Sequence, residues 1–163
     1  MKRIFAFVMI SLLAGFGRLE ADLPVKKVLT LNVAKKIAAT AEAEANRRKS
    51  TVVIVVVDDG GYPLVLLRLD NTQVASVDVG IAKARTAAIF RRPSKVFEDQ
   101  IRDGRVAAIA LPGATPLQGG VPLYYEGSVI GAIGVSGNTP QEDEDIAMAG
   151  AAVTSVAIEA EGK

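Results

Sequence analysis

The side chains best suited to chemistry lie in one stretch, Ser76 to Arg92 (SVDVGIAKARTAAIFRR). At about 100° per residue this predicts a helix with Val77, Ile81, Ala84 and Ala88 in one stripe and Asp78, Arg85 and Ile89 at its edge. Val79, Thr86 and Phe90 fall roughly opposite, beside Lys83. Lys83 and Arg85 are two residues apart and point to different sides, so they do not form one clamp. Two readings stand for them. In one, Lys83 is a solvated charge and Arg85 partners a carboxylate at the core edge. In the other, one of the two stands at the mouth of a pocket for an anionic group. Apolar residues on two sides of the helix mean that it is sandwiched within the domain or that its second face meets another subunit.

Two glycine-rich segments could serve such a pocket. In Leu111 to Pro122 (LPGATPLQGGVP), Gly119 and Gly120 would let a ligand approach backbone N–H groups while the prolines stiffen the loop. The alternative is a rigid loop covering a sheet edge. Gly131 to Gly137 (GAIGVSG) could cradle a phosphate, but no Gly-Lys-Ser/Thr follows, and strand glycines more often mark tight packing. The acidic run Glu142 to Asp145 fits the positive end of a helix dipole better than a metal site. The sequence contains neither His nor Cys. This removes Ser-His-Asp and Cys-His catalysis, thiol redox chemistry and Cys/His zinc sites. No residue is assigned a catalytic or metal-ligating role on these grounds, and binding is favoured over catalysis.

The elements that must position these residues are readable from periodicity. Thr30 precedes a helical stripe of Leu31, Val33, Ile37, Ala38, Ala41 and Ala45. Val52 to Val57 (VVIVVV) reads as a central strand buried on both faces. Asp58-Asp59-Gly60-Gly61 turns the chain into a second strand, Tyr62 to Asp70. After the central helix, Arg91-Arg92-Pro93 is a stop, and Ser94 caps a short helix from Lys95 to Ile101. Arg105 to Leu111 reads as a third strand, and a second hairpin joins Val121–Glu126 to Val129–Val135. Thr139-Pro140-Gln141-Glu142 is a capping box that opens a helix running to near Ile158. The order α-β-β-α-α-β-β-β-α lacks strict βαβ alternation. It predicts an α/β (α+β) domain with an antiparallel sheet of about five strands and packed helices.

The N-terminus carries Lys2 and Arg3, an almost uncharged run from Ile4 to Phe16, then Arg18, Glu20 and the small Ala21. That order matches a cleavable signal peptide. The apolar run of about a dozen residues is short of the roughly 20 needed for a permanent span. Residues 1–21 are read as the signal and 22–163 as a single domain, periplasmic or secreted, with no stable membrane span after cleavage. Cleavage would take the net charge from +1 to about −1, which offers nothing to nucleic acid. Without cysteine, an exported domain depends on packing and on association with its own copies.

Four motifs in order, VVDDGGYPLVLLRLD, SVDVGIAKARTAAIF with a following RPS, LPGATPLQGGVPL and GAIGVSG, resemble those of the GlcG/HbpS-like family. That family is related to the C-terminal domain of PduO-type cobalamin adenosyltransferases, and the resemblance covers Leu29 to Ala157. It implies a profilin-like α-β-α domain with a five-stranded antiparallel sheet, and homo-oligomers. Some members are exported and bind haem or act in haem turnover; others accompany glycolate or diol metabolism. The position after the turn's Gly-Gly is often His in the family and is Tyr62 here. Axial ligation of haem is left to a tyrosine (Tyr62, Tyr124 or Tyr125), to a lysine, or to Met148, the last read as a core residue of its helix. The first functional expectation is a non-catalytic, exported, self-associating binder of haem or a related tetrapyrrole. Its ligand would meet Tyr62, Arg68, Asp78, Lys83, Arg85, Thr86, Gly119 and Gly120, in a pocket between the central helix and the Pro/Gly loop. The second is an enzyme or sensor for a small organic acid such as glycolate, with Arg85 or Lys83 on the carboxylate and Asp78 as base.

Overall fold

A computed structural model describes residues 23–161; the expected signal, residues 1–21, lies outside them. Helix α1 (Leu31–Arg48) begins at Thr30, whose hydroxyl accepts the Val33 N–H at 3.2 Å, and stops at Lys49 in the left-handed conformation. Strands β1 (Val53–Asp58) and β2 (Pro63–Arg68) form the first hairpin. Its turn is closed by Asp58, whose carboxylate accepts the Tyr62 N–H at 2.8 Å, and by Gly61 at a φ of 82°. Helices α2 (Ser76–Phe90) and α3 (Lys95–Arg102) follow, then the hairpin of β3 (Gly120–Tyr125) and β4 (Ser128–Ser136). The chain closes with α4 (Pro140–Ala151) and α5 (Thr154–Glu159). Among the described residues no helix is long and apolar enough to cross a membrane.

The sheet is antiparallel throughout, in the order β2-β1-β4-β3. It has four strands where five were expected. Val106–Ala110 forms a 3₁₀ turn instead of the third strand. Gly104 ends α3 at a φ of 96°, and the chain keeps turning, with the Ala108 N–H on the Arg105 carbonyl at 3.1 Å. The apolar residues that suggested a strand, Val106 and Ile109, are 65% and 64% exposed. The final helix also breaks after Ala151, where the Thr154 hydroxyl donates to the Ala151 carbonyl at 2.7 Å.

Strand β1 is buried on both faces, as its unbroken β-branched run requires. Ile54 and Val56 join Ile133, Val135 and Leu123 beneath α1 and α4. Val53, Val55 and Val57 join Ala132 beneath Ala84, Ala87 and Ala88 of α2. Helix α2 lies unusually close to the sheet because glycines face it. A β-carbon at Gly134 would collide with the Gly80 carbonyl, and one at Gly120 with the Lys83 carbonyl. The glycines of GAIGVSG and of the loop therefore serve packing. The 111–120 loop covers part of the other side of α2, at Lys83, Thr86 and Ile89.

Candidate functional site

The expected pocket between α2 and the Pro/Gly loop is filled by the protein's own contacts. Lys83, 4% exposed, donates to Asp143 Oδ2 at 2.8 Å and to the Val135 carbonyl at 3.0 Å. It is a buried ion-pair member, not a solvated charge, because α4 brings Asp143 over the end of β4. The second carboxylate oxygen of Asp143 accepts the Asn138 N–H at 3.0 Å. Burial pushes the Asp143 carboxyl above its ordinary range, and the Lys83 ammonium pulls it back. Thr86 donates to the Ala82 carbonyl and accepts the Thr115 N–H, both at 2.8 Å, pinning the loop to the helix.

Gly119 holds a φ of 121° directly over the ion pair; a side chain there would lie 2.8 Å from the Val135 carbonyl and 3.0 Å from Lys83 Nζ. The Gly120 N–H donates to Ser94 Oγ at 2.8 Å. The acidic run is likewise engaged: Glu142 with Ser50, Glu144 with Gln118, and Asp145 with Arg48. Glu142 therefore does not reach back to complete the capping box, although Thr139 does accept its N–H at 3.3 Å.

The remaining expected contacts lie on the surface and apart. Arg85 places its guanidinium 5.6 Å from the centroid of the Tyr62 ring, which is 63% exposed. Arg68 sits at the other end of β2, about 20 Å along the strand, and donates to the Thr72 carbonyl at 3.1 Å. Asp78 is exposed in the first turn of α2, about 10 Å along the axis from Arg85. Of the expected set, the structure brings Tyr62 to Arg85 and joins Lys83, Thr86, Gly119 and Gly120 into one packed region. It gathers the eight into no common cavity.

An open cleft of about 560 Å³ lies elsewhere, between the extended segment 24–27 and the β3–β4 turn. Lys26 pairs with Asp59 at 2.5 Å, tying the segment to the β1–β2 turn. Strand β3 shifts register between Leu123 and Tyr124, and both following tyrosines line the cleft. Tyr124 donates to the Arg91 carbonyl at 3.4 Å. Lys27, Arg91 and Glu126 complete its charged lining. Arg91 and Glu126 both hold the left-handed conformation, with φ of 54° and 47°, where glycine would be cheaper. Tyr124 also borders a shallower apolar groove of about 380 Å³ with Val121, Pro122 and Met148. Met148 is 55% exposed, not a core residue, because the core side of α4 is taken by Ile146 and Ala147. The sequence signals for the cleft were Lys26-Lys27, Arg91 at the helix stop and the Tyr124-Tyr125 pair; no spacing joins them.

A four-stranded antiparallel sheet between helices, with an open cleft at one end, defines a compact α/β domain. Residues 29–152 match the family described as haem degrading protein HbpS-like, and the chain belongs to that family. It is 40% identical to protein GlcG of Escherichia coli K12 over 111 residues, covering 68% of this chain and 83% of that one. A double mutant of HbpS from Streptomyces reticuli superposes with a TM-score of 0.75 at 34% identity, over 82% of this chain and 91% of that one. A PduOC:heme complex shares the fold at a TM-score of 0.70 and 24% identity, over 77% of this chain and 94% of that one.

Proposed function

We propose that this chain is an exported, self-associating small-molecule-binding protein whose ligand is haem or a related tetrapyrrole. The observation that carries the reading is the 560 Å³ cleft, in an HbpS-like domain, lined by two tyrosines and by cationic side chains. The donor set fits ferric haem without histidine: phenol oxygens for the metal, Lys27 and Arg91 for carboxylates, and Pro24, Val25 and Ile130 as apolar walls. When bound, haem would supply a ferric centre that takes an oxygen ligand. The protein's own part is to orient the macrocycle and shield one side of it.

Export rests on the signal-like order of residues 1–21, which leaves 22–163 as the mature domain. Self-association is supported by the exposed Val106 and Ile109 and by the absence of cysteine. Titration of haemin into the purified protein tests the ligand: a saturable shift of the Soret band is expected, and a spectrum identical to free haemin rejects it. Sedimentation checks the assembly, with a monomer at all concentrations counting against it.

The organic-acid reading retains one support, the Arg85 guanidinium over the exposed Tyr62 ring. Lys83 no longer belongs to it, since Asp143 occupies that ammonium. Thermal stabilisation by glycolate, lost in Arg85→Ala, would favour this second reading.

A further inference from the structure

We infer that the cleft under the 24–27 segment holds haem through Tyr124 on the iron and through Lys27 and Arg91 on its carboxylates. This rests on the reading of the protein as a haem binder and names the site within it. The cleft volume suits a planar ligand of this size class. Among the described residues, neither Lys27 nor Arg91 enters an ion pair, while Lys26 is already held by Asp59. Two unpaired cations on one cleft match the two carboxylates of haem.

Arg91 adds a second observation. It ends α2 in a left-handed conformation that favours glycine, as Lys49 ends α1, and it lies in the cleft lining. Glu126, the other strained lining residue, opposes the cations, so the anion preference of the cleft is modest and adjustable.

Tyr124 is the ligand rather than Tyr125. Tyr125 packs against the main core, whereas Tyr124 is half exposed and its hydroxyl is held at the cleft by the Arg91 carbonyl. Ligation breaks the Tyr124 O–H bond and forms an iron–oxygen bond. The proton leaves to solvent with the water displaced from the ferric ion, and no electron is transferred. A phenolate stabilises ferric over ferrous iron, so the site takes haemin in preference to reduced haem.

The test compares three probes on protein purified after expression of the full chain: haemin, metal-free protoporphyrin IX and its dimethyl ester. Wild type is expected to bind haemin with a phenolate-to-iron charge-transfer band and a high-spin ferric resonance. Tyr124→Phe should lose both signals and bind haemin on the order of tenfold more weakly, while still binding protoporphyrin IX as wild type does. Lys27→Ala and Arg91→Asn, the latter keeping a residue that tolerates the left-handed conformation, should each weaken both acids several-fold and leave the ester unchanged. Glu126→Gln should tighten both acids. Retained porphyrin binding reports that the Tyr124 variant is folded. Haemin binding that is normal in wild type and unaltered in Tyr124→Phe, Lys27→Ala and Arg91→Asn overturns this site and leaves the haem reading intact. So does a charge-transfer band lost only in Tyr62→Phe or Tyr125→Phe. Absence of haemin binding in wild type overturns both.

Discussion

The loop over α2 and the cleft beside the β3–β4 turn are both rich in charge, glycine and hydroxyl groups, yet they are opposite in state. Over α2, Lys83, Asp143 and Thr86 are satisfied by one another and by backbone, and Gln118 by the side chains of Glu98, Gln141 and Glu144. At the cleft, Lys27, Arg91 and Glu126 line open space, and two of these hold a strained backbone. A polar group closed within the fold contributes stability and specificity of structure; one left facing a cavity is available to a ligand. Variants in the first region should therefore alter folding, and variants in the second should alter binding.

The largest effect is expected from Lys83→Ala. It strands the Asp143 carboxylate in a site where that residue is 2% exposed, at a cost of about 3–5 kcal/mol read by chemical denaturation. The double variant Lys83→Met with Asp143→Leu should recover much of that loss. A single variant as stable as wild type would break the distinction between the regions. Gly120→Val forces a side chain into the Lys83 carbonyl and should cost about 1–3 kcal/mol, with the change confined to stability. Thr86→Val removes the acceptor of the Thr115 N–H and should cost about 1–2 kcal/mol.

The pH dependence sharpens the same contrast. Because burial raises Asp143 above its ordinary value of 3.8, the folded state keeps a proton that the unfolded chain has released. Its contribution to stability is full below 3.8 and is lost as the pH rises through the folded value. Asp143→Asn should flatten that part of a denaturation profile taken against pH, and an unchanged profile would show that Lys83 cancels the desolvation. The smallest stability effect belongs to the cleft: Arg91→Gly should raise stability by up to about 1 kcal/mol by relieving the left-handed arginine. The same variant should bind haemin less well, so a gain in one measurement and a loss in the other is the signature sought.

Much of the fold was legible because local chemistry and final packing agree. The VVIVVV run became the central strand, Asp58 to Gly61 became the turn, and Thr139-Pro140 opened α4. Arg105 to Leu111 misled because apolar alternation does not reveal whether a strand partner is present; the segment turns on itself beyond Gly104. Lys83 misled for a related reason. Its partner Asp143 is sixty residues away in sequence, and helical spacing alone gives a lysine no buried counter-ion. Met148 reads as core on a helical wheel, but the adjacent groove leaves it half open.

The cleft was the least legible part. Its lining comes from residues 24–27, Asp59, Arg91 and the 124–130 turn, four segments that the sheet order β2-β1-β4-β3 and the extended N-terminal segment bring to one end of the molecule.

By itself the sequence determined the class of domain, the family motifs, and the exclusion of histidine and cysteine chemistry, since these depend on residue type and short-range spacing. Only the tertiary structure decided which charges are spent in packing and which face an open cleft, because that depends on what folds over each side chain. Lys83 and Arg91 lie eight positions apart on or just beyond one helix. One is closed in by α4 and the Pro/Gly loop, and the other opens onto the cleft.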